Sequence, residues 1–173
     1  MNIAFFLTPK AELIYEMTDS TMRQVLERME HHGYTAIPII DDEGKYMGTL
    51  TEGDLLWKIK NTPGLSFRNT NKVLVKDIEK RRIHKVVTIS TDINNIITLA
   101  RSQNFVPVVD DEGVFIGIIK RSDITDYCYS LITNIQMIVG GSPEPKGLEL
   151  LGGQKSLHKT KYLETDNTTN ESW

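Results

Sequence analysis

The sequence predicts an α+β fold made of two pseudo-symmetric β-α-β-β-α repeats. The main observation is a set of four residues that recurs 69 positions later in the chain. The pairs are Pro38 and Pro107, Asp41 and Asp110, Gly48 and Gly117, and Asp54 and Asp123. In each copy, a helical apolar period precedes two short apolar runs that a turn separates. The 173 residues suffice for two small halves that share one core.

The first repeat is assigned to residues 3–62. A short extended piece at 13–17 comes first, and residues 18–20 offer capping side chains for a helix that ends at Gly33. The apolar positions of this helix are Met22, Val25, Leu26 and Met29. A hairpin over 36–50 and a second helix that starts at Asp54 complete the repeat. Proline lacks the amide that a sheet ladder needs, so Pro38 is expected at an edge, a strand end or a ligand-facing opening.

The second repeat, residues 73–137, shows the same order. An extended piece covers 86–89, and a helix follows with apolar residues at Ile93, Ile96, Ile97 and Ala100. Strands at 106–109 and 115–119 precede a helix from Ser122 to about Met137. The helices match best at an offset of 71 and the strands at 69, so the second copy lacks two residues before its first strand.

Two further segments are polar. Residues 61–74 are expected to form a connection of low order between the repeats. Residues 138–173 have little apolar period, and they are expected to be a disordered tail; folding on a partner is the alternative.

Composition excludes several classes of function. The net charge of −3 gives no basic field for a nucleic acid. The sequence shows neither a signal peptide nor an apolar run of membrane-spanning length, and its single Cys128 agrees with a reducing compartment, so a cytoplasmic protein is expected. No dinucleotide fingerprint, nucleophile with a base or metal-ligand spacing is present, so neither catalysis nor a metal or cofactor is expected.

The repeated motifs resemble those of the cystathionine β-synthase (CBS) domain family, over residues 3 to 137. The most specific part is an apolar-Pro-apolar-Asp strand followed by a Gly-x-x-Thr-x-x-Asp element, which runs from Gly48 to Asp54 in the first copy. The resemblance implies one Bateman-type module, a tandem CBS pair with nucleotide clefts between its halves, as in stand-alone bacterial CBS-domain proteins.

The two aspartates are the main candidate ligand residues. A carboxylate in the first turn of a helix faces the positive end of the dipole and accepts hydrogen bonds from both ribose hydroxyls. A simple helix cap is the alternative, but the equal spacing of Asp54 and Asp123 favours ribose. Thr51 would then aim its hydroxyl at ribose or phosphate. The second copy departs from the pattern at Lys120, beside Arg121; such cations bind phosphate or pair with an acid in solvent.

The resemblance implies two sites, each formed by both repeats. The first would combine Tyr34, Thr35, Ala36, Ile37 and Pro38 with Lys120, Arg121 and Asp123. The second would combine Phe105, Val106 and Pro107 with Thr51 and Asp54. Core packing is the alternative for some of the apolar members. The first site is favoured, because the deletion before Pro107 reshapes the second. The basic run 80–85, which includes His84, is either a solvated face or an entrance for phosphate.

Two ligands and one ligand-free function remain open. The aspartates suit the free diol of AMP, ADP or ATP, whereas cyclic di-AMP has an esterified 3′-oxygen. Lys10, Arg121 and the shortened strand at Phe105 nevertheless look like the small CBS proteins of Gram-positive bacteria that bind cyclic di-AMP. A regulatory sensor of adenine nucleotides that signals to an unidentified protein partner is therefore favoured. The other possibility is a dimerising scaffold, with Tyr127, Leu131 and Ile135 as exposed apolar candidates; a homodimer is expected either way.

Overall fold

The computed structural model describes residues 3–139, which form six strands and four α-helices. The strands are β1 (Leu7–Pro9), β2 (Glu16–Met17), β3 (Ala36–Ile40), β4 (Tyr46–Thr51), β5 (Phe105–Val109) and β6 (Phe115–Lys120). The helices are α1 (Met22–His32), α2 (Glu52–Asn61), α3 (Ile93–Ala100) and α4 (Arg121–Val139). The predicted α+β class and the tandem repeat are confirmed, but the extended piece at 86–89 forms only an isolated bridge between Val87 and Val108. The predicted tail falls almost wholly outside the described residues.

Helix α1 shows how local sequence sets an element's limits. Thr21 Oγ1 accepts a hydrogen bond from the Gln24 amide at 3.3 Å, and Gln24 Oε1 accepts one from the Thr21 amide at 2.8 Å. This capping box satisfies amides that the first helical turn leaves free. The helix ends at Gly33, whose φ of +66° favours glycine. The predicted stop is therefore confirmed, but the cap is Thr21 rather than residues 18–20.

Two three-stranded sheets, in the orders β2-β3-β4 and β1-β6-β5, form the framework. Strand β3 is central, parallel to β2 and antiparallel to β4. Pro38 lies within β3, but pairing with β2 begins one residue later, where Glu16 is opposite Ile39. Pro38 is therefore at neither a sheet edge nor a strand end, two of the expected situations, but it lies just before the ladder between β3 and β2 begins.

The repeats meet at their hairpin turns through a pseudo-two-fold arrangement. The Tyr46 amide donates to the Gly113 carbonyl at 3.2 Å, and the Phe115 amide donates to the Gly44 carbonyl at 2.9 Å. The rings of Tyr46 and Phe115, which are equivalent at the offset of 69, stack with centroids 5.9 Å apart. One apolar cluster takes residues from both copies: Ile40, Phe105, Phe115 and Ile118. The two halves therefore share a core.

The N-terminal residues, which were assigned to the first repeat, pack on the second. Strand β1 pairs with β6, with Leu7 opposite Ile119. Ile3 is buried in the second repeat's apolar cluster, and the Phe6 ring meets the Tyr127 ring edge-on at 5.3 Å. Tyr127 is therefore packed, and its expected place among the exposed apolar residues of α4 was wrong.

The connection between the repeats is ordered, contrary to expectation. A 3₁₀ helix, Phe67–Lys72, packs on α1, where Arg23 Nη2 donates to the Arg68 carbonyl at 2.8 Å. The Met22 amide donates to the Val73 carbonyl at 2.8 Å. These contacts use main-chain atoms of the connection, so polar side chains in its sequence do not reveal them.

Candidate functional site

Asp54 is a buried carboxylate in the first turn of α2, with 4% of its surface exposed. Its Oδ2 accepts hydrogen bonds from the Thr51 amide at 2.9 Å and from Thr51 Oγ1 at 2.7 Å. Its Oδ1 accepts one from the Arg81 amide at 3.0 Å. The helix-cap interpretation therefore holds for Asp54 and Thr51 in this structure. A carboxylate accepts about four hydrogen bonds, so capacity for a further donor remains.

A cavity of about 460 Å³ lies beside this carboxylate; we name it the Asp54 cavity. It is lined by Thr51, Gly53, Asp54, Trp57, Arg81, Arg82, His84, Ser102 and Asn104. The lining comes from the first repeat, from the basic run 80–85 and from residues 102–104 of the second repeat. The Arg81 guanidinium lies 5.0 Å from the centre of the Trp57 ring. Its volume is in the range of about 300–1,000 Å³ typical of small-molecule sites.

His84 is a buried member of this lining, with 8% of its surface exposed. Its ring lies against the Phe105 ring, with centroids 6.1 Å apart, and its Nδ1 has no hydrogen-bond partner. Burial lowers the pKa of His84, while a backbone hydrogen bond at Arg82 and the charge of Asp54 oppose part of that shift. The imidazole is therefore neutral at pH 7.

The strand residues expected in this cleft are less accessible than its lining. Val106 is fully buried in the second repeat's core, and Phe105 is buried beneath His84. Ile37 is likewise fully buried in the first repeat's core. The core-packing alternative therefore holds for Ile37 and Val106. Pro107 is also buried, between Val106 and the buried Val108. The second repeat contributes Ser102 and Asn104 to the cavity instead.

The other expected site contains Asp123, which is half-buried in the first turn of α4. Asp123 Oδ1 accepts a hydrogen bond from Ser122 Oγ at 3.1 Å. Lys120 takes the place that Thr51 has in the first repeat, and its ammonium group has no acceptor for a capping box. The Asp123 carboxylate consequently accepts fewer hydrogen bonds from the protein than the Asp54 carboxylate does.

A chain of hydrogen bonds joins the two repeats near Asp123. Arg121 Nε donates to the Gln103 carbonyl, and Arg121 Nη2 donates to Asn104 Oδ1, both at 3.0 Å. Asn104 Nδ2 then donates to Thr35 Oγ1 at 3.2 Å. Thr35 and Asn104 are equivalent at the offset of 69. The structure therefore brings Thr35 of the first repeat together with Arg121 of the second.

The remaining residues that the sequence predicted for the two sites differ in burial and in their contacts. Tyr34 is 39% exposed and stacks on His32 at 5.4 Å. Ala36 is half-buried and Pro38 is buried, both in β3. The Lys10 ammonium lies 5.2 Å from the centre of the Tyr15 ring, close to the hairpin turn at Gly44.

Several cavity residues were missed by the sequence analysis. These are Gly53, Trp57, Arg81, Arg82, Ser102 and Asn104. The basic run 80–85 was noted as a possible phosphate entrance, and three of its members line the cavity. The equivalence of Asn104 to Thr35 was a usable signal for that residue.

No group of three or more His, Cys, Asp or Glu residues within 3–139 could hold a metal ion. Over the same range, no helix combines the length and apolar character that crossing a membrane requires.

Two pseudo-symmetric repeats around a polar cavity define a tandem domain pair, and comparison with known proteins identifies its family. The family model for the CBS domain matches residues 10–61 and 75–130. The chain belongs to the CBS domain family and carries two copies of the domain.

Relatives and solved structures agree with this assignment. An uncharacterized protein of Methanopyrus kandleri is 25% identical over 131 residues, which cover 73% of this chain and 63% of that protein. The chain thus spans less than two thirds of that relative's length. The Listeria monocytogenes CbpB protein, solved with cyclic di-AMP, superposes with a TM-score of 0.67 at 20% identity, covering 76% of this chain and 98% of that one. CBSX2 in complex with AMP gives a TM-score of 0.62 at 25% identity, with the same coverage of 76% and 98%.

Proposed function

We propose that this CBS pair is a regulatory module that binds an adenine mononucleotide, AMP, ADP or ATP, and signals its bound state to a protein partner. The observation that carries the proposal is the Asp54 cavity, which residues of both repeats line. A ligand that contacts both repeats favours one arrangement of them. It shifts the population of arrangements by its difference in affinity between them.

The charges of the cavity suit a phosphorylated ligand. Arg81 and Arg82 supply two guanidinium groups, whose planar donors match phosphate oxygens. Asp54 retains capacity for a ribose hydroxyl, and the partly buried Trp57 offers an apolar ring. A dianionic phosphate on a neutral base and sugar complements this lining.

The Asp123 site supports the same ligand class through its carboxylate. Asp123 is half-buried and next to the Arg121–Asn104–Thr35 chain of hydrogen bonds. A ribose diol would find both carboxylate oxygens reachable there, and Arg121 retains donors beyond the two that it uses. We therefore propose the ribose-binding role for Asp123, as the sequence predicted.

Cyclic di-AMP is the second candidate ligand. It is favoured by the three protein hydrogen bonds that already occupy Asp54, since such a carboxylate discriminates less against an esterified 3′-oxygen. The ligands of the neighbouring structures support both candidates, because CBSX2 holds AMP and the Listeria protein holds cyclic di-AMP.

Trp57 offers a direct test, because it lies in the Asp54 cavity. The chain has two tryptophans, so a Trp173→Phe variant leaves Trp57 as the sole indole fluorophore. AMP should change its emission saturably, and an Arg81→Ala substitution should weaken that titration. Lys72→Ala, which removes a cation outside the cavity lining, is the matched control. Calorimetric binding without any emission change would place the ligand elsewhere.

A ligand-free dimerising scaffold remains the competing function. Helix α4 exposes Tyr129, Leu131 and Ile132 to solvent, and such apolar residues suit an interface. If neither AMP, ADP, ATP nor cyclic di-AMP binds the purified chain, this function replaces the sensor. We propose a homodimer and no catalysis in either case.

A further inference from the structure

We infer that His84 contacts the phosphate of the ligand in the Asp54 cavity, and that its imidazole takes up a proton when that ligand binds. The inference rests on the proposed nucleotide function and names a further residue of the same site. It makes binding depend on pH through one identified group.

The position of His84 is the first argument. The residue lines the Asp54 cavity and also a second cavity of about 560 Å³. The second cavity is lined by Tyr46, Met47, Gly48, Lys80, Arg82, Ile83, His84, Lys85 and Val86. His84 and Arg82 thus line both cavities, and the Phe105 ring of β5 packs against the imidazole.

The unpaired nitrogen is the second argument. His84 is more than nine-tenths buried, and its Nδ1 has no hydrogen-bond partner. Buried polar atoms of folded proteins almost always have one. A phosphate oxygen within the lining would complete the hydrogen bonding of this ring. The neighbouring guanidinium groups of Arg81 and Arg82 select an anion over a neutral group at that place.

The charges that face His84 come from two segments. Asp54 on α2 is the acid, and the basic run 80–85 supplies the cations Lys80, Arg81, Arg82 and Lys85. Tyr46 on β4 adds no charge, because burial raises the pKa of its phenol. Without ligand, burial and the charge of Arg82 therefore keep the imidazole neutral. A phosphate dianion reverses this balance and stabilises the imidazolium.

Ligand binding is coupled to the uptake of one proton. The free ring nitrogen of neutral His84 takes one proton from solvent, and no covalent bond other than N–H forms or breaks. Where uptake is complete, affinity rises about tenfold for each unit by which pH falls.

Calorimetry of the full chain with AMP measures this uptake. Titrations at pH 7.5 in two buffers of different ionisation enthalpy give the number of protons bound. The number should be clearly above zero for the natural chain and near zero for His84→Asn, which keeps a donor but does not titrate. His31→Asn, at an exposed position of α1, should behave as the natural chain does.

A nucleotide-free measurement separates this inference from the proposed function. Sulfate does not titrate near neutral pH, so the ¹⁵N shifts of the His84 ring report its charge as sulfate is added. Charging of the ring by sulfate would support the anion contact even if AMP failed to bind, in which case the adenine function alone would fall. AMP binding without proton uptake, at equal affinity in His84→Asn, would overturn the inference and leave the function standing. A ring that stays neutral in sulfate, together with no AMP binding, would overturn both.

Discussion

Asp54 and Asp123 occupy equivalent positions of the two repeats, yet they differ in what holds them. Asp54 is buried and accepts three hydrogen bonds, two from Thr51 and one from the Arg81 amide. Asp123 is half-buried and accepts one from its neighbour Ser122. The residue three positions earlier accounts for much of the difference, because Thr51 completes a capping box and Lys120 lacks the acceptor for one. The carboxylate of the first repeat thus stabilises the fold and keeps room for about one further donor, whereas the carboxylate of the second repeat keeps most of its acceptor capacity.

The largest expected effect is on stability, from Asp54→Ala. The change removes a helix cap and leaves the Arg81 amide without its partner, so the free energy of unfolding should fall by about 2–4 kcal/mol. Urea denaturation measures it. Glu52→Ala, an exposed acid in the same helical turn, is the matched control and should cost much less. Equal losses of stability in the two variants would show that the hydrogen bonds of Asp54 do not stabilise the fold beyond the effect of any acid in this turn.

Asp123→Ala should affect ligand binding rather than stability. Its stability should stay within about 0.5 kcal/mol of the natural chain, as for most surface substitutions. AMP affinity should fall about tenfold, since a charge-assisted hydrogen bond to the ribose is lost. Calorimetry measures the affinity, with the exposed Asp126→Ala on the same helix as control. An unchanged affinity would exclude Asp123 as a ribose ligand.

Lys120→Thr would make the second repeat more like the first. A threonine there can form a capping box with Asp123 and should raise stability by about 1 kcal/mol. Because the box occupies the carboxylate, AMP affinity should fall about threefold. Thermal unfolding and calorimetry follow the two effects. A gain in stability without loss of affinity would separate capping from ligand binding.

The smallest expected effect is a dependence of ligand-free stability on pH. Because burial lowers the pKa of His84 in the folded state, the unfolded chain takes up the proton first as pH falls. The free energy of unfolding should therefore fall as pH decreases through about 6.5, the ordinary value for histidine. His84→Asn should flatten this dependence in urea titrations between pH 8 and 5.5. If the slope were the same with His31→Asn and His84→Asn, the titrating group would lie elsewhere.

The repeat explains why so much of the fold was predictable. Punctuating residues such as Pro38 and Gly48 fix hairpins locally, and their recurrence fixes the pairing of the two halves. The placement of residues 3–9 was not predictable, because the apolar Ile3, Phe6 and Leu7 suit either repeat's sheet. At Gly117, a Cβ atom would lie 2.3 Å from the Thr8 carbonyl oxygen, so the close approach of β1 requires a glycine. Because Gly117 also belongs to the repeated motif, its presence did not indicate that a strand packs there.

The candidate site was predictable only in part, for a similar reason. Both aspartates could be found from their spacing. The long-range hydrogen-bond partner of Asp54, however, is the Arg81 main-chain amide, 27 positions away. Because every residue except proline has such an amide, the sequence does not show which one is the donor. The alternation of apolar residues around Pro38 and Pro107 pointed to strands, but it could not separate ligand contact from core packing at Ile37 and Val106.

Whether this CBS pair binds an adenine nucleotide is best decided by the melting temperature of the full purified chain, measured alone and with AMP, ADP, ATP or cyclic di-AMP. A ligand that binds only the folded state raises this temperature. We expect a saturable rise with at least one mononucleotide, larger than with cyclic di-AMP at equal concentration. A melting temperature that none of the four changes would contradict this expectation.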